Sequence, residues 1–298
     1  MRSNRWFRAY QASVQMVVLG SLLAGCTEMQ QIAGEAARLS GQPGLATSLQ
    51  KGGTMAQQAG SALLPIGEEE ERSIGASLAL QVVTRYGGIY ERPELTRYVN
   101  LVGQGVALTC NRANLDYHFA ILNHDSINAF ATPAGYVFIT KGLLQHLQNE
   151  AELATVLGHE IAHISEKHLL SILQREKQIA GITEAGLTYV NQNPALFKGL
   201  IDAVAKKLLD EGLDQGKELE ADRLGVVFAA RVGYEPTAYR TLLQRLRAIR
   251  GDDQAFFKTH PNFSTRLTEV EGVLGAQHLK STGVLLPERF LSSLEGRL

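Results

Sequence analysis

Cysteine is nearly absent from this chain. Only Cys26 and Cys110 occur among 298 residues, and if Cys26 is consumed by another modification, the thiol of Cys110 has no partner for an internal bridge. Stability then has to come from the core, with metal as a further source. An excess of either charge is missing as well: 29 Lys plus Arg stand against 30 Asp plus Glu. That balance excludes the broad basic surface with which proteins grip phosphate backbones, so no nucleic-acid partner is expected, and no acidic tail occurs. The apolar run at residues 14–23 is too short to cross a bilayer as an ordinary helix. Internal repeats are absent too. What is present is an ordinary globular composition, 45% hydrophobic and 20% charged, long enough for one sizeable core with appendages.

The first residues read as an export signal. Arg2, Arg5 and Arg8 form a basic flank, the apolar run follows, and it ends in Leu23-Ala24-Gly25-Cys26, which resembles the lipobox of bacterial lipoproteins. That resemblance implies cleavage before Cys26, lipidation of its thiol and attachment to a membrane through the lipid. A plain secretory signal in which Cys26 stands by chance is the competing reading. Loss of residues 1–25 takes three arginines and no acid, moving the formal net charge from −1 to −4. Residue 27 is Thr and not Asp, which by resemblance to enteric lipoproteins favours the periplasmic side of the outer membrane over the inner membrane. Residues 26–67 are expected to be a flexible tether: from 27 to 66 they contain no aromatic residue and only Glu28, Glu35, Arg38 and Lys51 as charges, too little apolar area to offset ordering entropy.

From Glu68 the pattern changes. Ile74, Leu78 and Val82 recur every fourth residue, as on one face of a helix. Pro93, with Leu95, Val99, Val102 and Val106 behind it, predicts a second helix opened by proline. Residues 117–122 and 136–140 are apolar and aromatic and read as strands. The turn residues Pro133-Ala134-Gly135 place residues 128–132 as a hairpin partner for 136–140 near a sheet edge. Asn149, with Glu152 three residues on, has the form of a helix N-cap with a reciprocal carboxylate. The helix it opens carries Leu153, Val156, Leu157, Ile161 and Ile164 as an apolar stripe.

That helix contains His159-Glu160-Ile161-Ala162-His163. Histidines four apart rise about 6 Å on one helix face, so both imidazoles reach one ion about 2.0 Å from each nitrogen, while Glu160 lies on their flank beside any water on the metal. Five residues with three specified arise by chance, so context decides. Two histidines and a glutamate in an apolar helix are hard to bury without a cation. Downstream, Glu218-Leu219-Glu220-Ala221-Asp222 places Glu218 and Asp222 on one helix face. Glu218 suits a third ligand, and Asp222 suits the distal N–H of a ligand histidine. Three protein ligands leave one zinc position for water, the catalytic pattern. His168 lies one residue short of the third-histidine position of metzincins, where Leu169 stands, and is read as structural.

The pairing of the two motifs resembles the HtpX and CAAX-prenyl-protease type of zinc metallopeptidase, a gluzincin family, in its soluble periplasmic lipoprotein branch. The resemblance extends from about residue 68 to 274 and includes Asn128-Ala129-Phe130 and Thr259-His260-Pro261 with Arg266. It implies an α+β fold: a mostly helical zincin-like metallopeptidase domain with a small sheet whose edge strand lies beside the active-site helix. Residues 68–274 would be that domain and 275–298 a short C-terminal tail, too few for the helical-repeat extension of larger members. It implies one Zn2+ per chain on His159, His163 and Glu218, not Glu220, with Glu160 as catalytic base. His260 is implied at the site, as oxyanion stabiliser or as an inhibitory zinc ligand in a resting state, with a helix-capping role as the alternative. Arg266 either orients a carboxylate or solvates a helix face. Asn128, Ala129 and Phe130 are implied to bind substrate by strand addition, and residues 169–213 are a candidate lid. The expected activity is proteolysis of misfolded or stalled envelope polypeptides. A non-proteolytic assembly factor binding unfolded outer-membrane proteins in the same cleft is the alternative, and intact Glu160 argues against it. A zinc hydrolase of non-peptide bonds is disfavoured by the resemblance alone.

Overall fold

The computed structural model describes residues 66–179, 194–251, 262–276, 279 and 281–296; the leader, Cys26, almost all of the tether, and His260 lie outside them. Helix α1 (Glu68–Arg85) opens with Glu68 to Glu71 at the positive end of its dipole and buries Ile74, Leu78 and Val82. Helix α2 (Pro93–Ala107) starts at its proline and buries Leu95, Val99, Val102 and Val106. Three strands follow, β1 (His118–Leu122), β2 (Ala129–Thr132) and β3 (Tyr136–Thr140). After the one-turn α3 (Lys141–Leu144) come α4 (Glu150–Ser165), α5 (His168–Ile179) and α6 (Pro194–Lys206), the last continued by a π-helical stretch, Lys207–Glu211. Helices α7 (Gln215–Val232), α8 (Ala238–Arg250), α9 (Phe263–Ala276) and α10 (Pro287–Leu294) complete the described chain. No described helix is long and apolar enough to cross a membrane.

The expected hairpin forms: β2 runs antiparallel to β3, with Ala129 opposite Ile139 and Ala131 opposite Val137. Strand β1 lies on the other side of β3 and parallel to it, Phe119 level with Val137, so the order is β1-β3-β2 and β2 is an edge. Side-chain alternation then divides the core. Phe119, Ile121, Ala129, Ala131, Val137 and Ile139 join the larger cluster with residues of α2, α4, α7 and α8. Leu122, Phe130 and Phe138 point the other way, into a cluster built with α1, α5 and α6. A sheet covered on both faces beside many helices is the α+β architecture expected, with α4 packed along the edge strand β2.

Helix α4 carries the predicted stripe, but every one of its residues is buried, not only the apolar face. Its polar side chains therefore need partners inside the protein. Asn149 caps it, accepting from the Glu152 N–H at 2.9 Å. The Glu152 carboxylate reaches back to the N–H of Gln148 at 2.8 Å, one residue earlier than a capping box would place it, and is gripped by Arg245 at 3.1 and 2.6 Å. Glu150 accepts from the Tyr98 and Tyr234 hydroxyls, each at 2.6 Å, and from Arg289 Nε at 2.5 Å. Both carboxylates sit in the first turn, where the helix dipole favours negative charge.

Arg289 belongs to the stretch read from sequence as a tail. There Val284 bridges Tyr234, the Leu285 carbonyl accepts from the Ala151 N–H at 3.2 Å, and α10 buries Phe290 completely. The end of the chain thus packs on the start of α4, because an amphipathic turn led by Phe290 and a cation for Glu150 are both supplied from it.

Candidate metal centre

Helix α7 lies against α4 at backbone distance. A Cβ on Gly158 would meet the Gly225 carbonyl oxygen at 2.8 Å, and one on Gly225 would meet the His159 nitrogen at 2.7 Å, so no other residue allows this approach without displacing a helix. The contact brings Glu218, in the first turn of α7, over the face of α4 that bears the two histidines.

One ligand atom each of His159, His163 and Glu218 lies within 4.8 Å of the others, and all three residues are buried. His159 Nε2 and His163 Nε2 are 3.1 Å apart; the Glu218 oxygens stand 3.6 Å from the first and 3.7 Å from the second. A tetrahedron with zinc–ligand bonds of about 2.0–2.1 Å has edges of about 3.3–3.4 Å, so the donors are already spaced for such an ion. Two imidazoles and a carboxylate are also a catalytic zinc donor set. Glu160 Oε1 is buried and has no hydrogen-bond partner among the described residues, which is what a base awaiting a water on the metal would show. Burial pushes the Glu160 carboxyl up to about 7, against the pull of His159. The four residues fit a zinc ion.

The partners of the ligands are fixed in turn. Asp222 Oδ1 lies 2.9 Å from His159 Nδ1, the contact expected for Asp222, and leaves Nε2 of that ring to face the site. Arg266 is fully buried and donates to Asp222 at 2.8 and 2.6 Å. Tyr239 donates to Asp222 at 2.9 Å and itself accepts from Arg266. Burial would raise the Asp222 carboxyl, but Arg266 and His159 hold it well below the usual range. Burial likewise opposes charge on His159, yet Asp222 and Glu218 outweigh it and lift the ring to about 9 in the absence of a cation.

On the other side, His163 Nδ1 faces His168 Nδ1 at 2.9 Å, and His168 Nε2 faces Glu220 Oε2 at 3.2 Å. Burial holds His168 below the ordinary imidazole value, with Glu220 pulling the other way. His168, Glu220 and Tyr239 are the site residues that sequence reasoning did not assign. The available signal was local for two of them: His168 follows the motif by five residues and Glu220 lies inside the acidic motif. Tyr239 gave none.

Ala129 and Phe130 line the cleft beside Glu160, His163 and Glu218. Asn128 does not line it; its side chain accepts from the Ala129 N–H at 2.9 Å and its N–H meets Thr140 Oγ1 at 3.1 Å, so it fixes the start of the edge strand. Leu169, Leu170, Leu208 and Leu213, all from the candidate lid segment, line the cleft as well. The space enclosed among these side chains is ≈ 30 Å³, room for a water molecule.

A sequence model of peptidase family M48 matches residues 93–274. The chain is 30% identical over 220 residues to the beta-barrel assembly-enhancing protease of Yersinia pestis, an overlap of 66% of this chain and 45% of that protein. To the protein of the same name from Escherichia coli strain K12 it is 29% identical over 208 residues, 63% of this chain and 41% of the other. It is 27% identical over 161 residues to the mitochondrial metalloendopeptidase OMA1 of Arabidopsis thaliana, 54% of this chain and 32% of that one. The chain thus spans less than half the length of each of these relatives.

Proposed function

This chain belongs to peptidase family M48, and from that premise we propose that it is a zinc metalloendopeptidase of the bacterial cell envelope that cleaves misfolded or stalled polypeptides. The similarity to beta-barrel assembly-enhancing proteases supports envelope β-barrel proteins among the substrates. The observation that carries the reading is the trio of donor atoms 3.1 to 3.7 Å apart beside a buried, unpartnered Glu160 oxygen.

His159, His163 and Glu218 would hold the zinc. When bound, zinc supplies Lewis acidity, acidifying water and polarising a scissile carbonyl. Glu160 takes the proton of the attacking water and delivers it to the leaving amine; desolvation by its surroundings gives it the affinity for a proton that this shuttle requires. Asp222 holds the His159 proton on Nδ1, which leaves Nε2 as the atom that would face a metal, and Arg266 with Tyr239 holds Asp222 in place. The buried edge strand β2 offers backbone against which an extended peptide aligns once Leu208 and Leu213 withdraw, which favours unfolded over folded substrates. His260 completes the proposal as a donor to the tetrahedral oxyanion.

The same proposal places residues 1–25 as a lipoprotein signal, Cys26 as the lipidated residue and 26–67 as a tether, holding the enzyme on the periplasmic side of the outer membrane. Residues 68–274 form the catalytic domain and 275–298 its C-terminal segment. Two measurements test the activity together: metal content of the purified protein, expected to be one zinc per chain, and cleavage of unfolded casein by wild type and Glu160→Gln. The variant should keep zinc and lose cleavage. Undiminished casein cleavage by Glu160→Gln would remove Glu160 from its role, and a chain without zinc would remove the mechanism.

A further inference from the structure

The two histidines of the metal centre are not supported alike. His159 leans on a carboxylate, whereas His163 leans on a third imidazole. His168 is 3% exposed; its Nδ1 is 2.9 Å from His163 Nδ1, and its Nε2 is 3.2 Å from Glu220 Oε2. Glu220 is the outermost member of this row, with its side chain 40% exposed and Arg223 3.3 Å away.

We propose that His168 is a positioning residue for the zinc ligand His163, transmitting to the surface carboxylate of Glu220 the tautomer that metal binding imposes. The inference rests on the assignment of His163 as a ligand. Between two Nδ1 atoms at hydrogen-bond distance there is room for a single proton. A neutral histidine that gives Nε2 to a metal keeps its proton on Nδ1. His163 is therefore the donor and His168 Nδ1 the acceptor. A neutral His168 that accepts on Nδ1 carries its own proton on Nε2, and Glu220 is where that proton points. The row from His163 to His168 to Glu220 thus has one consistent arrangement of protons when zinc is held, and each member fixes the next.

Without zinc the constraint lapses. With no ion on Nε2, the His163 proton is free to take either ring nitrogen, and when it leaves Nδ1 His168 can turn donor toward it. Metal binding selects one of the two arrangements, so the acceptor on His168 contributes to the grip on the ion in the way that partners of metal-bound histidines generally do. The same chain explains why His168 is buried next to a cation site without being a ligand: its Nδ1 already points at the back of His163.

Zinc affinity of the full-length chain, measured by chelator competition, tests this. Removing the partner of a ligand histidine weakens metal binding by about 10-fold to 100-fold, and that is the expected loss for His168→Ala. His168→Asn, which places an amide oxygen near the vacated Nδ1, should recover most of it, a rescue that a space-filling role would not give. Nitrogen NMR of the imidazoles in the zinc-loaded wild type should find the His168 proton on Nε2. An Ala variant with unchanged affinity, an Asn variant no better than Ala, or a His168 proton on Nδ1 would each overturn the proposal. His163→Ala is the parallel control: if it keeps zinc, the ligand assignment fails and the inference with it, whereas zinc lost there but unchanged in His168→Ala defeats the inference alone.

Discussion

The Glu160 carboxyl should make the metal-free protein lose stability as pH rises, and replacing it should abolish that loss. Glu160 is 2% exposed, and its carboxyl is raised from 4.5 to about 7, chiefly by burial. The folded state therefore binds its proton more tightly than the unfolded chain does. With a folded value above the unfolded one, the carboxyl leaves stability untouched below the unfolded value, draws it down between the two values, and leaves it lowered above the folded value. A difference of about two and a half pH units corresponds to about 3 kcal/mol at full development. Near pH 5 the penalty is about 1 kcal/mol and near pH 8.5 about 3 kcal/mol. Glu160→Gln keeps the shape and removes the charge, and contributions of other groups, His159 included, largely cancel in the comparison. Urea denaturation of chelator-treated wild type and variant across this range should show the variant gaining by about 2 kcal/mol relative to wild type between the two ends. With zinc added the advantage should shrink, since a cation favours the ionised carboxyl. A variant advantage that is flat with pH, or that falls as pH rises, would refute the burial argument.

Three other outcomes follow from the structure. Gly225→Ala should push α7 off α4, because its methyl would stand 2.7 Å from the His159 nitrogen; a loss of at least about 2 kcal/mol in urea with weakened zinc binding is expected, and wild-type zinc affinity would contradict it. Arg266→Met leaves the fully buried Asp222 carboxylate without its cation and should destabilise by about 3–5 kcal/mol, with Asp222→Asn in the same chain restoring part of that. Ala134 holds φ at 63°, a left-handed conformation that disfavours any side chain, so Ala134→Gly should raise stability by up to about 1 kcal/mol, read as a higher thermal midpoint.

The features legible in the sequence are those whose signal is local. The proline at the head of α2, the fourfold spacing in α1, the Asn149 cap and the hairpin around Pro133-Ala134-Gly135 each lie within one window, and all appear in the structure where the residues put them. Two metal motifs on separate helices also lie within reach of local pattern, since each presents its side chains at helical spacing. What escaped is what the tertiary fold assembles. The parallel pairing of β1 with β3 depends on which side of the hairpin the earlier strand docks, and no residue in β1 announces it. Tyr239 reaches Asp222 from α8, a helix whose sequence carries no mark of the site. The spacing of His168 is wrong for a ligand and says nothing else about it; its place behind His163 is set by the break between α4 and α5 at Lys167, whose φ is 56°. The final helix was missed because its eight residues are too few to show periodicity, although Phe290 and Arg289 are what α4 needs at its start.

The meeting of Gly158 with Gly225 also sets an order of events in the life of the molecule. A nascent or partly unfolded chain presents two imidazoles on one segment and a carboxylate on another far downstream, and such a chain can bind zinc only loosely. The third donor arrives when the two helices seat against each other. Tight loading of the ion is thereby tied to the seating of α7 on α4, since a chain in which the two helices stand apart offers only two of the three donors on one segment.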